Sequence, residues 1–200
     1  MPAFRTIWAA NIVSNIGTLM QSVGAAWLMT SLTTSTILVG LVQTASTLPV
    51  FLVGLIAGAL ADLADRKALL LWSQAWMLLM ATVLGVLTLL GFTSPWVLLA
   101  LTFGLGLGGA VSLPAWQATV QDMVPKTWVT AAVSLNSISF NVARAIGPAL
   151  GGIVVALFGA AAAFFANAAS FLAVVAAVAF WKRPPYVPSR LSEDVVSAIR

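Results

Sequence analysis

The chain is 200 residues long, 61% hydrophobic and 7% charged, with a mean hydropathy of +1.05. A soluble domain carries about 25% charged residues, so too few charges remain here to coat a water-facing surface, and lipid must be the solvent for most of the chain. The absence of Cys and His excludes disulfides, thiolate or imidazole metal sites, and Ser-His or Cys-His nucleophilic pairs, while the net charge of +4 is carried by residues that flank apolar runs, a mark of membrane topology and not of nucleic-acid binding.

A bilayer core of about 30 Å takes roughly 20 apolar residues of helix, and lipid offers no partner for unpaired backbone groups, so runs of that length must be helical. The first, about Thr6–Thr30, is too long for a signal peptide and is followed by five more. It places Asn11, Asn15 and Gln21 inside the membrane. After the uncharged link Ser31–Thr36, a second span covers about Ile37–Ala61 and holds Gln43.

The link to the third span reads Gly58-Ala59-Leu60-Ala61-Asp62-Leu63-Ala64-Asp65-Arg66-Lys67. Its clustered charges between two long apolar helices make the turn tight and water-exposed. Gly58 permits close backbone approach where the helix ends, Asp62 can accept hydrogen bonds at a neighbouring helix N-terminus, and Asp65, Arg66 and Lys67 can pair or hold the turn at the membrane surface. An ordinary basic loop explains the same residues.

The third span, about Ala68–Leu90, ends in the uncharged link Gly91–Ser94; the fourth, about Pro95–Ala118, contains Phe103-Gly104-Leu105-Gly106-Leu107-Gly108-Gly109 and then Trp116-Gln117. That glycine run costs helix propensity and makes sense only where helices pack closely or bend. Embedded in an apolar run with no strand before it, it is not a phosphate loop.

The fifth span, about Val129–Phe158, carries Asn136, Asn141 and Arg144, then Gly147-Pro148-Ala149-Leu150-Gly151-Gly152. Gly147 and Gly151 form a small-residue face for a partner helix, and Pro148 removes a backbone donor. An Arg at mid-membrane costs a few kcal/mol unless it faces protein or a water-filled cavity. Arg144 therefore either lines a cavity or is satisfied by neighbouring helices. A turn at Gly159 leads to the sixth span, about Ala160–Trp181, after which the Pro-rich stretch 182–200 reads as a linker leaving the membrane. No convincing repeat links the first three spans to the second three.

The links after spans one, three and five carry no charge, and every basic residue but Arg144 falls on the other face. The positive-inside rule makes that face cytoplasmic, with both termini inside a cell (plasma or inner) membrane.

The stretch Gly58–Lys67 resembles the signature between helices two and three of the major facilitator superfamily, with Gly58, Leu60, Asp62, Arg66 and Lys67 at matching positions and Leu63 where the family usually has Arg. Gly147-Pro148 followed by Gly151-Gly152 resembles the helix-five motif of exporters in that superfamily, with Ala143 in place of the leading Gly of its longer form. Gly104 stands where many drug/proton antiporters have an intramembrane Arg. Nearly the whole chain is similar to the enterobactin-exporter-like transmembrane secretion effectors, through Asn15–Gln21, Leu48-Pro49, Pro114-Ala115 and Asn141–Arg144.

The resemblance implies an all-α integral membrane fold of six transmembrane helices in a 3+3 inverted repeat, the N-terminal half of a major facilitator transporter. It also implies that the chain is an incomplete transporter, with a C-terminal six-helix half as its partner beside lipid and a small-molecule substrate. The implied function is secondary active export of a drug-like or siderophore-like molecule by alternating access, with Gly58, Asp62, Asp65, Arg66 and Lys67 in the gating loop and no cofactor beyond a coupling proton. Asn11, Asn15, Gln21, Gln43, Trp116, Gln117, Asn136, Asn141 and Arg144 are the expected cavity residues. An importer of the same fold and a non-transporting membrane scaffold are the alternatives. An intramembrane enzyme would need a Ser-His pair, two acids or a metal site, and the spans offer none.

Overall fold

A computed structural model describes residues 2–181, apart from the side chains of Pro2, Ala3, Asp62 and Asp122. The expected linker 182–200, and the Asp62 side chain assigned to the gate, lie outside the described residues. All the described regular elements are helical: α1 (Pro2–Leu32), α2 (Thr36–Leu63), α3 (Arg66–Leu89), α4 (Pro95–Met123), α5 (Val129–Phe158) and α6 (Ala160–Ala179), with a single 3-10 turn at Lys126–Trp128. Helix α4 runs on past the apolar stretch to Met123, because a helix need not stop where the lipid does.

The sequence places the breaks. Asp65 caps α3, its Oδ1 accepting from the Lys67 N–H at 3.0 Å. Ser94 caps α4 through the Val97 N–H at 3.3 Å, with Pro95 in the first helical position. Gly159, at φ 81°, makes the one-residue turn from α5 to α6 in a conformation that L side chains resist.

Five helices, α2 to α6, are long and apolar enough to cross a membrane. Helix α1 falls outside that set. Its Asn11, Ser14, Asn15, Thr18, Gln21 and Ser22 recur at helical spacing and make the middle of one face polar, between apolar Phe4 and Ile7 at one end and Ala25 and Met29 at the other. Elsewhere the surface is strongly apolar: Phe51 and Leu55 on α2, Trp72 on α3 and Leu157 on α5 are all exposed, as suits contact with lipid and not with water.

Helix α1 packs chiefly on α5 and α6, α4 chiefly on α2 and α3, and α3 on α6. In lipid such contacts draw on close packing rather than on expulsion of water, so small residues belong at the seams. The α1/α5 seam shows this: a Cβ at Gly147 would come within 2.8 Å of Leu19 Cβ, and one at Gly151 within 2.8 Å of the Met20 Cα. The partner of the helix-five glycine face is therefore α1.

Apolar clusters close both ends of the bundle. Phe4, Leu70, Val120 and Val178 belong to one, Met29, Leu84, Leu98 and Phe164 to the other, and Met77 and Phe171 lie in a third. At the first end Lys67 Nζ donates to the carbonyl oxygens of Ala179 (3.1 Å) and Trp181 (2.7 Å), tying the start of α3 to the end of α6. A cation on the last carbonyls of a helix also complements its dipole.

Candidate functional site

Between the end clusters lies a cavity of about 790 Å³, within the size range of small-molecule sites. The polar face of α1 lines it from Asn11 to Ser22. Gln43 and Ser46 come from α2, Gln74 from α3, Thr102, Ser112 and Trp116 from α4, Asn136 and Asn141 from α5, and Asn167 from α6. Apolar walls are supplied by Val42, Met77, Leu105, Phe140 and Phe171. Every polar group on this wall is a neutral amide, hydroxyl or indole; none of the described lining residues is charged.

Two hydrogen-bond nodes hold the polar wall in place. Toward the charged end, Asn136 Oδ1 accepts from Trp116 Nε1 at 3.2 Å and from Asn11 Nδ2 at 3.4 Å, joining α5, α4 and α1. Deeper in the bundle, Asn167 Nδ2 donates to Gln21 Oε1 at 2.7 Å, and its Oδ1 accepts from Ser170 at 3.0 Å. Asn167 is only 1% exposed, so its amide is paired as a buried polar group should be.

Of the residues expected in a cavity, the structure brings together Asn11, Asn15, Gln21, Gln43, Trp116, Asn136 and Asn141. Gln117 and Arg144 do not line it. One residue on from Trp116, Gln117 is turned about a quarter of the way round α4 and is exposed. Arg144 is exposed in the middle of α5, its guanidinium 5.3 Å from the centroid of the Phe140 ring, within cation–π range. It makes no hydrogen bond among the described residues, so among them neither the cavity nor the neighbouring backbone satisfies it.

Sequence reading missed Ser14, Thr18, Gln74, Thr102, Ser112 and Asn167. For α1 the signal was available, since Ser14 and Thr18 fall in register with Asn11, Asn15 and Gln21. For single polar residues in α3 and α6, nothing in the sequence gives the rotation of the helix.

The expected gate residues lie at the charged end. Arg66 Nε donates to the Ala61 carbonyl oxygen at 3.4 Å, and Asp65 and Lys67 act as the caps described above. Gly58 is not a close approach: a Cβ there would meet nothing within 4 Å, and the same holds at Gly152. Helix α5 continues through Pro148, which is exposed.

The transmembrane secretion effector family matches residues 1–200. The staphyloferrin A transporter of Staphylococcus aureus (strain NCTC 8325 / PS 47) is 29% identical over 156 residues, which cover 77% of this chain and 39% of that protein. An MFS-type transporter of Bacillus subtilis (strain 168), YfiS, is 28% identical over 78% of this chain and 38% of its own length. Macrolide efflux protein A of Streptococcus pyogenes is 29% identical over 74% of this chain and 37% of its own length. The chain thus spans well under half the length of the curated relatives it matches. With a family match end to end and relatives that are membrane transporters, an apolar helical bundle around a polar cavity has its explanation: the chain belongs to the transmembrane secretion effectors of the major facilitator superfamily.

Proposed function

We propose that this chain forms the cavity-bearing half of a secondary active exporter, in which the cavity holds a small molecule during alternating access. The observation that carries the proposal is the neutral polar wall, built from all six helices inside a bundle whose outer surface is apolar. Buried polar side chains in a membrane bundle are costly and belong at a pathway or in a helix contact. The relative named for macrolide efflux favours export of a small drug-like or siderophore-like molecule over import.

In this reading α1 is the sixth span, its polar face turned to the cavity instead of to lipid. The packing supports a 3+3 repeat: α1 sits between α5 and α6 as α4 sits between α2 and α3, and α3 meets α6 as each other's counterpart. Arg5, Arg66, Lys67 and Lys126 then mark the cytoplasmic end, in a plasma or inner membrane. A second six-helix half closes the cavity, supplies the coupling carboxylate for proton or other ion coupling, and receives Arg144. Rocking of the two halves exposes a midplane site alternately to each side.

Gly109 provides the test. It lines the cavity, and a Cβ there meets nothing within 4 Å, so Gly109→Trp fills the pathway without disturbing a helix seam. Cells lacking other exporters and expressing the protein with its second half should retain a fluorescent efflux substrate at least about tenfold longer with this variant. Unchanged efflux at equal membrane abundance would remove the cavity from the pathway. A scaffold that does not transport would show no substrate-dependent difference at all.

A further inference from the structure

Helix α4 is open on two sides. Gly109 lines the cavity, while its neighbour Gly108 lines a second hollow, of about 520 Å³, on the outside of the bundle. Leu69, Trp72, Trp76 and Leu79 of α3 form one wall of this groove, and Leu107 and Val111 of α4 form the other. Its floor lies at Gly108, where a Cβ would come within 3.0 Å of Trp76 Cδ1. Trp76 Nε1 donates to the Gly104 carbonyl oxygen at 2.7 Å, which fixes the ring as a wall. The groove is reached directly from the bilayer: Trp72 is 77% exposed, Trp76 43% and Leu79 52%.

The groove offers a ligand little that is polar. Ser73 supplies its one side-chain hydroxyl among the described residues, and that Oγ already donates to the Leu70 carbonyl oxygen at 3.0 Å. Water there would lack partners, and an empty groove would forfeit dispersion contacts on every side. Hydrocarbon fills it without either cost. Length then sets which hydrocarbon: from Leu69 to Leu79 α3 rises about 15 Å, about half of the roughly 30 Å core of a bilayer. One end of the groove lies a turn of helix from Arg66, at the charged end of the bundle. Among the described side chains there, Arg5, Arg66, Lys67 and Lys126 outnumber Asp65, so a phosphate at that level meets net positive charge.

We propose that the outer α3/α4 groove binds one acyl chain of a phospholipid from the leaflet at the charged end, with the headgroup level with Arg66. The site is separate from the cavity and stands whether or not the cavity carries a substrate. Its occupant is a lipid, not an apolar substrate and not a second copy of the chain.

The test places the protein in lipid nanodiscs containing phosphatidylglycerol with a diazirine on one acyl chain, irradiates it, and maps the labelled peptides by mass spectrometry. Ala75 lines the groove and is exposed, so Ala75→Trp fills the groove from the lipid side. Leu172 on α6 is 54% exposed at a similar depth from the charged end and serves as the lipid-facing control. Labelling at 69–79 and 107–111 should exceed that around Leu172 about fivefold. Ala75→Trp should remove the excess and leave the Leu172 label unchanged; Ala75→Leu should lower the excess part-way and decides the matter if the Trp variant does not fold. Equal labelling of groove and control, or an excess that survives in the folded variants, would overturn the proposal. Displacement of the groove label by erythromycin would assign the groove to substrate instead, and efficient disulfide formation between copies of Ala75→Cys would assign it to a second copy; either result would overturn the proposal.

Discussion

Asn136 shows what a polar side chain must do inside a bundle of this kind. Its carbonyl oxygen takes hydrogen bonds from Trp116 and Asn11 on two other helices, so one residue organises three helices at the charged end of the cavity. Replacing it by Leu leaves the Trp116 N–H without that acceptor, and Asn136→Leu should cost about 1–3 kcal/mol, read as a lower midpoint of thermal unfolding in detergent. An unchanged midpoint would mean that the node holds nothing together. Polar residues within apolar runs were legible in the sequence, and most of those on α1, α4 and α5 meet in the cavity. Arg144 and Gln117 were legible as polar but not as outward-facing, because a rotation of α4 or α5 by a quarter turn leaves the sequence unchanged. Gln74 and Asn167 were illegible for the complementary reason: a lone amide in an apolar helix looks the same whether it faces lipid, a neighbour or a cavity.

Among the elements, α1 is the one whose character the average hydropathy hides. Its polar face lowers the mean below that of the other five helices, although the 11-14-15-18-21-22 spacing identifies a helix with one wet side. The helix-five glycines were legible as a packing face, but their partner was not. The structure assigns α1, and it divides the four motif positions into two kinds. At Gly151 an added methyl would press on the Met20 backbone, with Cα at 2.8 Å and the carbonyl oxygen at 3.0 Å; at Gly152 it would meet nothing within 4 Å. Gly151→Ala should therefore destabilise the bundle by about 1–3 kcal/mol through overpacking, whereas Gly152→Ala should be neutral or slightly stabilising, since Ala is the better helix former by about 1 kcal/mol. Denaturant-free thermal melts of the two variants side by side check this, and equal melts would refute the assigned seam. The same logic explains the glycine run of α4, where Gly108 meets α3, Gly106 meets α2 at Ser46 and Pro49, and Gly109 is left bare beside the cavity.

Across the whole molecule, charge and packing divide the bundle into two unlike ends. Arg5, Asp65, Arg66, Lys67 and Lys126 gather at the end closed by Phe4, Leu70 and Val178, while the links Thr33–Ser35, Leu90–Ser94 and Gly159 at the other end carry no charge. Helical class, the helices themselves and this asymmetry could all be read from composition and spacing. The cavity could not, because it depends on which faces six helices turn toward one another. For the six helices to form the proposed half-transporter, α1 must cross the lipid despite its polar face, with its C-terminal link outside and the charged end inside. The chain has no cysteine of its own, so single cysteines report cleanly. Intact cells carrying Thr34→Cys or Thr127→Cys, treated with a membrane-impermeant maleimide, measure this directly. Position 34 should label without permeabilisation and position 127 only after it; labelling at 127 in intact cells, or protection at 34, would overturn this topology.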